Sequence, residues 1–194
     1  MLEHLPRVGS DYGGLDGQRI AVVGYSHWHK PGEVDDERAT LDTVRRVISD
    51  EGAGNAPQED WSRIAFFRQI RNYFGFTLHS AFWPLVAFFN FLPNSVGTGA
   101  ERFRHGTGGQ IDLGRERFLR LLRELAPQKT FVFTRRYWAI VRGASLMELP
   151  DGVPQYSRIF KAVELEGSRV FLLRHPQGAR KAPMVETVGC LLRS

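Results

Sequence analysis

Residues Ile20 to Gly24 read IAVVG, five positions without a polar side chain, and a crowded polar turn, YSHWHK, follows at once. A strand with one wet face alternates apolar and polar residues, so the unbroken apolar run marks a strand covered on both faces, read here as Arg19 to Gly24. Helices must supply those covers. Leu41, Val44, Val47 and Ile48 recur as one face of a helix, and Trp61, Ile64, Phe67, Ile70 and Phe74 repeat the pattern. Leu85 to Phe91 is apolar around Asn90 and reads as a second buried strand after Pro84. Phe118, Leu121, Leu122 and Leu125 form a third amphipathic helix ended by Pro127, and Thr130 to Thr134 follows as a strand. Arg158 to Glu166 and Arg169 to Arg174 flank Gly167 and Ser168 as a hairpin, and Pro183 to Arg193 closes the chain as a helix. Strands alternating with helical patterns predict an α/β fold, a three-layer α/β/α arrangement around a mostly parallel central sheet.

With 194 residues, 42% of them hydrophobic, the chain can bury one good-sized core. No linker or repeat divides it, so residues 18–194 are expected as a single domain. Met1 to Gly17, rich in glycine and polar residues, is expected as a flexible lead-in. No stretch reaches the roughly 18 apolar residues that span a bilayer, and the start lacks the order of a signal peptide. A cytoplasmic protein without a membrane partner is expected. Cys190 is the only cysteine, which excludes an internal disulfide and any site built on several thiolates.

The formal charge of +5 suits an anionic partner, and the basic side is nearly all arginine: Lys30, Lys129, Lys161 and Lys181 are the only lysines. Guanidinium forks match phosphate oxygens, although a GC-rich genome produces the same bias. Parallel sheets bind ligands at the carboxyl ends of their strands. That rule selects Gly24-Tyr25-Ser26-His27-Trp28, Asn90 within VAFFNFLPNSVG, and RHPQGARK from Arg174 to Lys181. Taken singly, each has an ordinary explanation. An asparagine in an apolar run is usually a satisfied core amide, and a His-Pro step usually ends a strand.

In their order along the chain these segments resemble the uracil-DNA glycosylase superfamily, and more closely its uncharacterised glycosylase-like branch. Gly-Tyr-Ser-His-Trp is similar to the family's post-strand loop, Gly-Gln-Asp-Pro-Tyr in the best-known members and Gly-Glu-Ser-His-Tyr in many uncharacterised relatives. VAFFN resembles the second strand, which delivers a base-reading asparagine. PQKTFVFTRRYWAIV resembles the helix-strand-helix step, and LRHPQG the final His-Pro-Ser type loop. The resemblance implies a uracil-DNA glycosylase-like fold, a DNA or nucleotide partner and no cofactor.

An enzyme that cleaves a glycosidic bond in DNA must extract the nucleotide, bind the base edge and stabilise an oxocarbenium-like sugar. On this resemblance Asn90 would read the flipped base, since an amide offers both donor and acceptor. His175 would donate to the departing base. Tyr25, Trp28 and the phenylalanines near Asn90 would stack on it, with Gly24 in the same base-binding loop. Arg174, Arg180, Lys181 and the backbone amides of Gln177 and Gly178 would hold phosphates.

Ser26 falls where the best-known members carry a water-positioning aspartate. His27 is the nearest replacement, with Glu33, Asp35 and Asp36 farther off; those carboxylates also suit the approach to a helix N-terminus. Catalytic expectations therefore fall on His175, His27 and Ser26. His27 and His29 lack the further ligands of a zinc site. The loop GTGAERFRHGTGG, with Arg102, Arg104 and His105, lacks the lysine of a nucleotide-binding loop and reads as a surface loop. Three functions stay open: a glycosylase, a catalytically silent reader of a modified base or nucleotide, and a small-molecule hydrolase on the same scaffold.

Overall fold

The computed structural model describes residues 2–29, 32–52, 61–98, 105–153 and 161–194. The expectations placed on Lys30, Arg102, Arg104 and residues 158–160, and on the side chains of Trp61 and Ile64, lie outside what it describes.

The apolar runs form the sheet. Strands β1 (Arg7–Val8), β2 (Ile20–Gly24), β3 (Ala87–Asn90), β4 (Lys129–Phe133), β5 (Lys161–Leu165) and β6 (Ser168–Leu173) lie in the order β1-β3-β2-β4-β6-β5. The β2 strand pairs in parallel with both β3 and β4, and β4 pairs in parallel with β6. The edges are antiparallel: β1 on β3 and β5 on β6. Every residue of β2, β3 and β4 is buried, as the absence of alternation required. The β5–β6 hairpin turns at Glu166 and Gly167, both with positive φ, which suits the twist of a two-residue connection.

Six α-helices are present among the described residues: α1 (Ala39–Gly52), α2 (Trp61–Tyr73), α3 (His79–Phe82), α4 (Gly108–Leu125), α5 (Trp138–Val141) and α6 (Lys181–Arg193). Alternate strand residues pack into two apolar clusters. Ile20, Val22, Phe88, Phe131 and Phe171 meet Val44 and Val47 of α1, Phe67 and Ile70 of α2, and Val188 and Leu191 of α6. Ala21, Val23, Phe89, Val132 and Leu172 meet Phe118, Leu121 and Leu122 of α4 and Ile140 of α5. The fold is mixed α/β, and among the described residues no helix is long and apolar enough to cross a membrane.

The first residues differ from the expected lead-in, because contacts far along the chain hold them. Arg7 and Val8 extend the sheet beside Phe88 and Ala87. His4 is 1% exposed, its N–H donates to the Pro93 carbonyl at 2.7 Å, and its Nε2 meets Asp35 Oδ1 at 2.8 Å. A composition-based reading of a glycine-rich terminus does not register such long-range partners.

Candidate functional site

The sheet's parallel hydrogen bonding continues beyond β2 and β3. Phe91 N–H donates to the Gly24 carbonyl at 3.0 Å, Leu92 N–H to Tyr25 at 2.9 Å, and Val96 N–H to His27 at 3.0 Å. Residues 25–29 are thereby laid beside 91–98 at the carboxyl end of the sheet. Asp35 fastens the arrangement, taking Ser95 N–H at 3.0 Å, the Ser95 hydroxyl at 2.7 Å and His4 at 2.8 Å. Burial alone would raise its carboxyl, but those bonds from Ser95 and His4 outweigh it and hold the pKa below the usual range. Asp36 accepts Arg38 N–H at 2.7 Å just before α1. Both acids thus order the approach to that helix.

Gly24 and Asn90 are register partners at the ends of β2 and β3. A methyl group on Gly24 would stand 2.2 Å from Asn90 Oδ1 and 3.5 Å from Phe66 Cζ. The missing side chain is the room in which the Asn90 amide lies. Asn90 is 4% exposed as a residue; no hydrogen bond among the described residues reaches its side-chain amide, and the amide is not among the fully enclosed unpaired groups, so its polar tip still meets solvent. Its backbone carbonyl, by contrast, accepts from Arg117 Nη1 at 2.6 Å. Amides enclosed in cores are ordinarily paired, whereas this one has an open polar tip at the carboxyl end of the sheet.

Phe66 lies between Gly24 and the last loop. Its ring centroid is 5.5 Å from that of His175. Burial, reinforced by the positive charge of Arg135, pushes the His175 imidazole down to about 4, so the ring is neutral near pH 7. Gln177 N–H donates to His175 Nδ1 at 3.3 Å, which leaves the ring proton on Nε2. His175 is therefore a neutral donor of fixed tautomer.

The amides expected at phosphates have other partners. Gln177 N–H is used by the imidazole, and Gly178 N–H donates to the His175 carbonyl at 3.0 Å, because Pro176–Gly178 is a single 3₁₀ turn. Guanidinium groups crowd this turn instead. A methyl on Gly178 would meet Arg135 Nη2 at 2.2 Å and Arg174 Nε at 3.1 Å. Arg174 Nε is buried without a hydrogen-bond partner, while Arg180, Lys181 and the Gln177 side chain are exposed.

The remaining expected residues divide. Tyr25 stacks on Phe91 at 6.1 Å and carries the Arg136 guanidinium over its ring at 5.2 Å, joining the first loop to the segment after β4. His27 Nε2 meets Thr40 Oγ1 at 2.9 Å, and its ring stands edge-on to His4 at 5.1 Å, so α1 and the N-terminal segment fix it. Ser26 and Trp28 are half-buried in the same loop. Among the described residues no three His, Cys, Asp or Glu side chains group as a metal site. A groove lined by Arg7, Leu41, Arg45, Ile48 and Ser49 shares no residue with these loops.

Phe66 and Arg135 were not expected. Phe66 sits one position off the apolar stripe of α2, and an aromatic ring off the core face is the signal that finds it. Arg135 follows the carboxyl end of β4, where the strand-end rule applies equally. The chain matches no protein-family model and no curated protein.

Proposed function

We propose that the chain is a three-layer uracil-DNA glycosylase-like domain that binds a nucleobase turned out of DNA at Asn90 and His175, with hydrolysis of its N-glycosidic bond as the chemistry the pocket suits. The observation that carries this reading is the Asn90 amide, which belongs to a buried residue yet keeps an open polar tip. It lies unpaired among the described residues on Gly24, beside a phenylalanine whose ring meets His175.

The division of labour follows from the side chains. Asn90 supplies a donor and an acceptor to a pyrimidine edge. His175, neutral near pH 7, donates from Nε2 to the base carbonyl as negative charge develops there, and the Gln177 N–H on Nδ1 is what keeps its one ring proton on Nε2. Phe66 and Tyr25 offer ring faces, while Arg135 and Arg174 hold the phosphate path. His27, oriented by Thr40 and His4, is the group next to Ser26 that directs water.

Ser26 supports a second reading. A serine hydroxyl carries no charge to stabilise an oxocarbenium ion, and Asp35, the carboxylate tied to His4, is committed to Ser95. A silent reader of a modified base would use the same pocket without a water activator. Incubation with oligonucleotides bearing uracil, hypoxanthine or xanthine, followed by alkaline cleavage and a parallel binding measurement, separates the two. Abasic product supports the glycosylase; selective binding without product supports the reader. No binding to any of them rejects both.

A further inference from the structure

Trp138 has no part in the reading above. It stands at the start of α5 with 53% of its surface exposed, although a tryptophan is normally among the most buried residues by area. The segment that leads to it from β4 touches both halves of the site. Arg135 lies against Gly178 and beside His175, and Arg136 covers the Tyr25 ring. Trp138 follows Arg136 by two residues, which keeps its backbone within about 7 Å of the residue that covers the Tyr25 ring.

The charged groups on these segments are mostly basic. Arg135, Arg174, Arg180 and Lys181 make no ion pair among the described residues. Arg142, which caps α5, is 73% exposed and pairs at 3.5 Å with Asp112, itself 65% exposed. Such a pair contributes little and yields readily to a phosphate. An open indole framed by arginines fits a polyanion that also carries flat aromatic rings, which is a nucleic-acid strand.

We propose that Trp138 is a stacking platform for a base flanking the one held at Asn90 and His175, with Arg135 and Arg142 on the phosphates of the same single strand. The proposal rests on the base-binding reading. In a duplex the flanking base stays paired to its complement and stacked on the side away from the extruded base, whereas in a single strand it is free to turn onto the indole. The platform therefore selects single-stranded over duplex substrate.

The test measures affinity of the full chain for three probes: a single strand of thymines with one central uracil, the same strand without uracil, and the uracil strand as a duplex. Wild type, Trp138→Ala and Trp138→Phe are compared. Trp138→Ala is expected to weaken both single strands by roughly ten- to a hundredfold while leaving the uracil preference and the duplex affinity unchanged. Trp138→Phe restores most of the affinity, but strand-induced quenching of tryptophan emission falls. The side chain is exposed, so the melting temperature of both variants stays at the wild-type value. Single-strand affinity that is unchanged in Trp138→Ala overturns the platform, and a surviving uracil preference then leaves the base-binding reading standing. Polyglutamate bound as tightly as the strands, with the same dependence on Trp138, also overturns it in favour of an acidic protein. A wild type that binds no strand at low salt overturns both proposals.

Discussion

The Asn90 amide occupies the space that a side chain on Gly24 would fill: a methyl there would come within 2.2 Å of Asn90 Oδ1. Gly24→Ala must therefore turn the amide aside. Asn90 is short and buried, so the rotation is constrained, and the variant is expected to lose about 1 to 3 kcal/mol of stability. Its preference for a modified base should fall to background while general affinity for nucleic acid persists. Chemical unfolding and competition binding check the two parts. Full selectivity in Gly24→Ala would contradict the placement of Asn90 at the base.

Arg117 is the buried post behind Asn90. It is 3% exposed and donates to the Asn90 carbonyl, the His4 carbonyl and Glu3. Arg117→Leu strands two buried carbonyls, at a cost of about 2 to 4 kcal/mol. Glu3→Gln keeps an acceptor at a position 41% exposed and should cost less than about 1 kcal/mol. Unfolding midpoints of the two variants test this asymmetry.

Acid should destabilise the protein through two histidines. Burial, aided by neighbouring Arg71, pushes His79 down to about 4, and burial with Arg135 does the same to His175, against an ordinary value of 6.5. In the unfolded chain both take up a proton as pH falls through 6.5, while the folded chain keeps them neutral until about 4. Stability is therefore highest above pH 6.5 and declines between 6.5 and 4. Asp35 and Glu51 are both held below the ordinary carboxylate value by hydrogen bonds that outweigh burial. They extend the decline at lower pH. Trp83 Nε1 donates to His79 Nδ1 at 2.9 Å, so His79→Asn keeps an acceptor and removes the titration. Denaturant unfolding at several pH values should show a shallower decline in His79→Asn than in wild type.

Arg135 and Arg174 converge on the His-Pro turn without an ion pair among the described residues. Replacing either by alanine should weaken all nucleic acids alike and reduce the slope of log affinity against log salt by about 1. Titrations at several salt concentrations check this. A change in base preference with no change in slope would place these side chains on the base instead of the phosphates.

Much of the sheet was legible because strands buried on both faces leave unbroken apolar runs. Arg19 to Gly24 and Thr130 to Thr134 lie within a residue of β2 and β4. The helical stripes at Val44, Val47, Phe118 and Leu121 likewise lead to the two cores. What stayed hidden was made by tertiary contact. His4 reads as part of a polar terminus until its partners at Asp35 and Pro93 are known. The Gln177 and Gly178 amides read as phosphate donors until the 3₁₀ turn directs them to His175. The meeting of Arg135 with Gly178 joins residues from different strand ends, which no local pattern encodes.

The central claim is that Asn90 and His175 serve one base, and one comparison tests it most directly. Affinity and base release are measured on the same uracil-bearing strand for wild type, Asn90→Ala and His175→Ala. Asn90→Ala is expected to lose both the uracil preference and release, because the amide contacts the base before and during bond cleavage. His175→Ala is expected to keep most of the affinity while release falls on the order of a hundredfold, because its donor acts on charge that appears as the base departs. Wild-type uracil preference and release in Asn90→Ala would contradict the account.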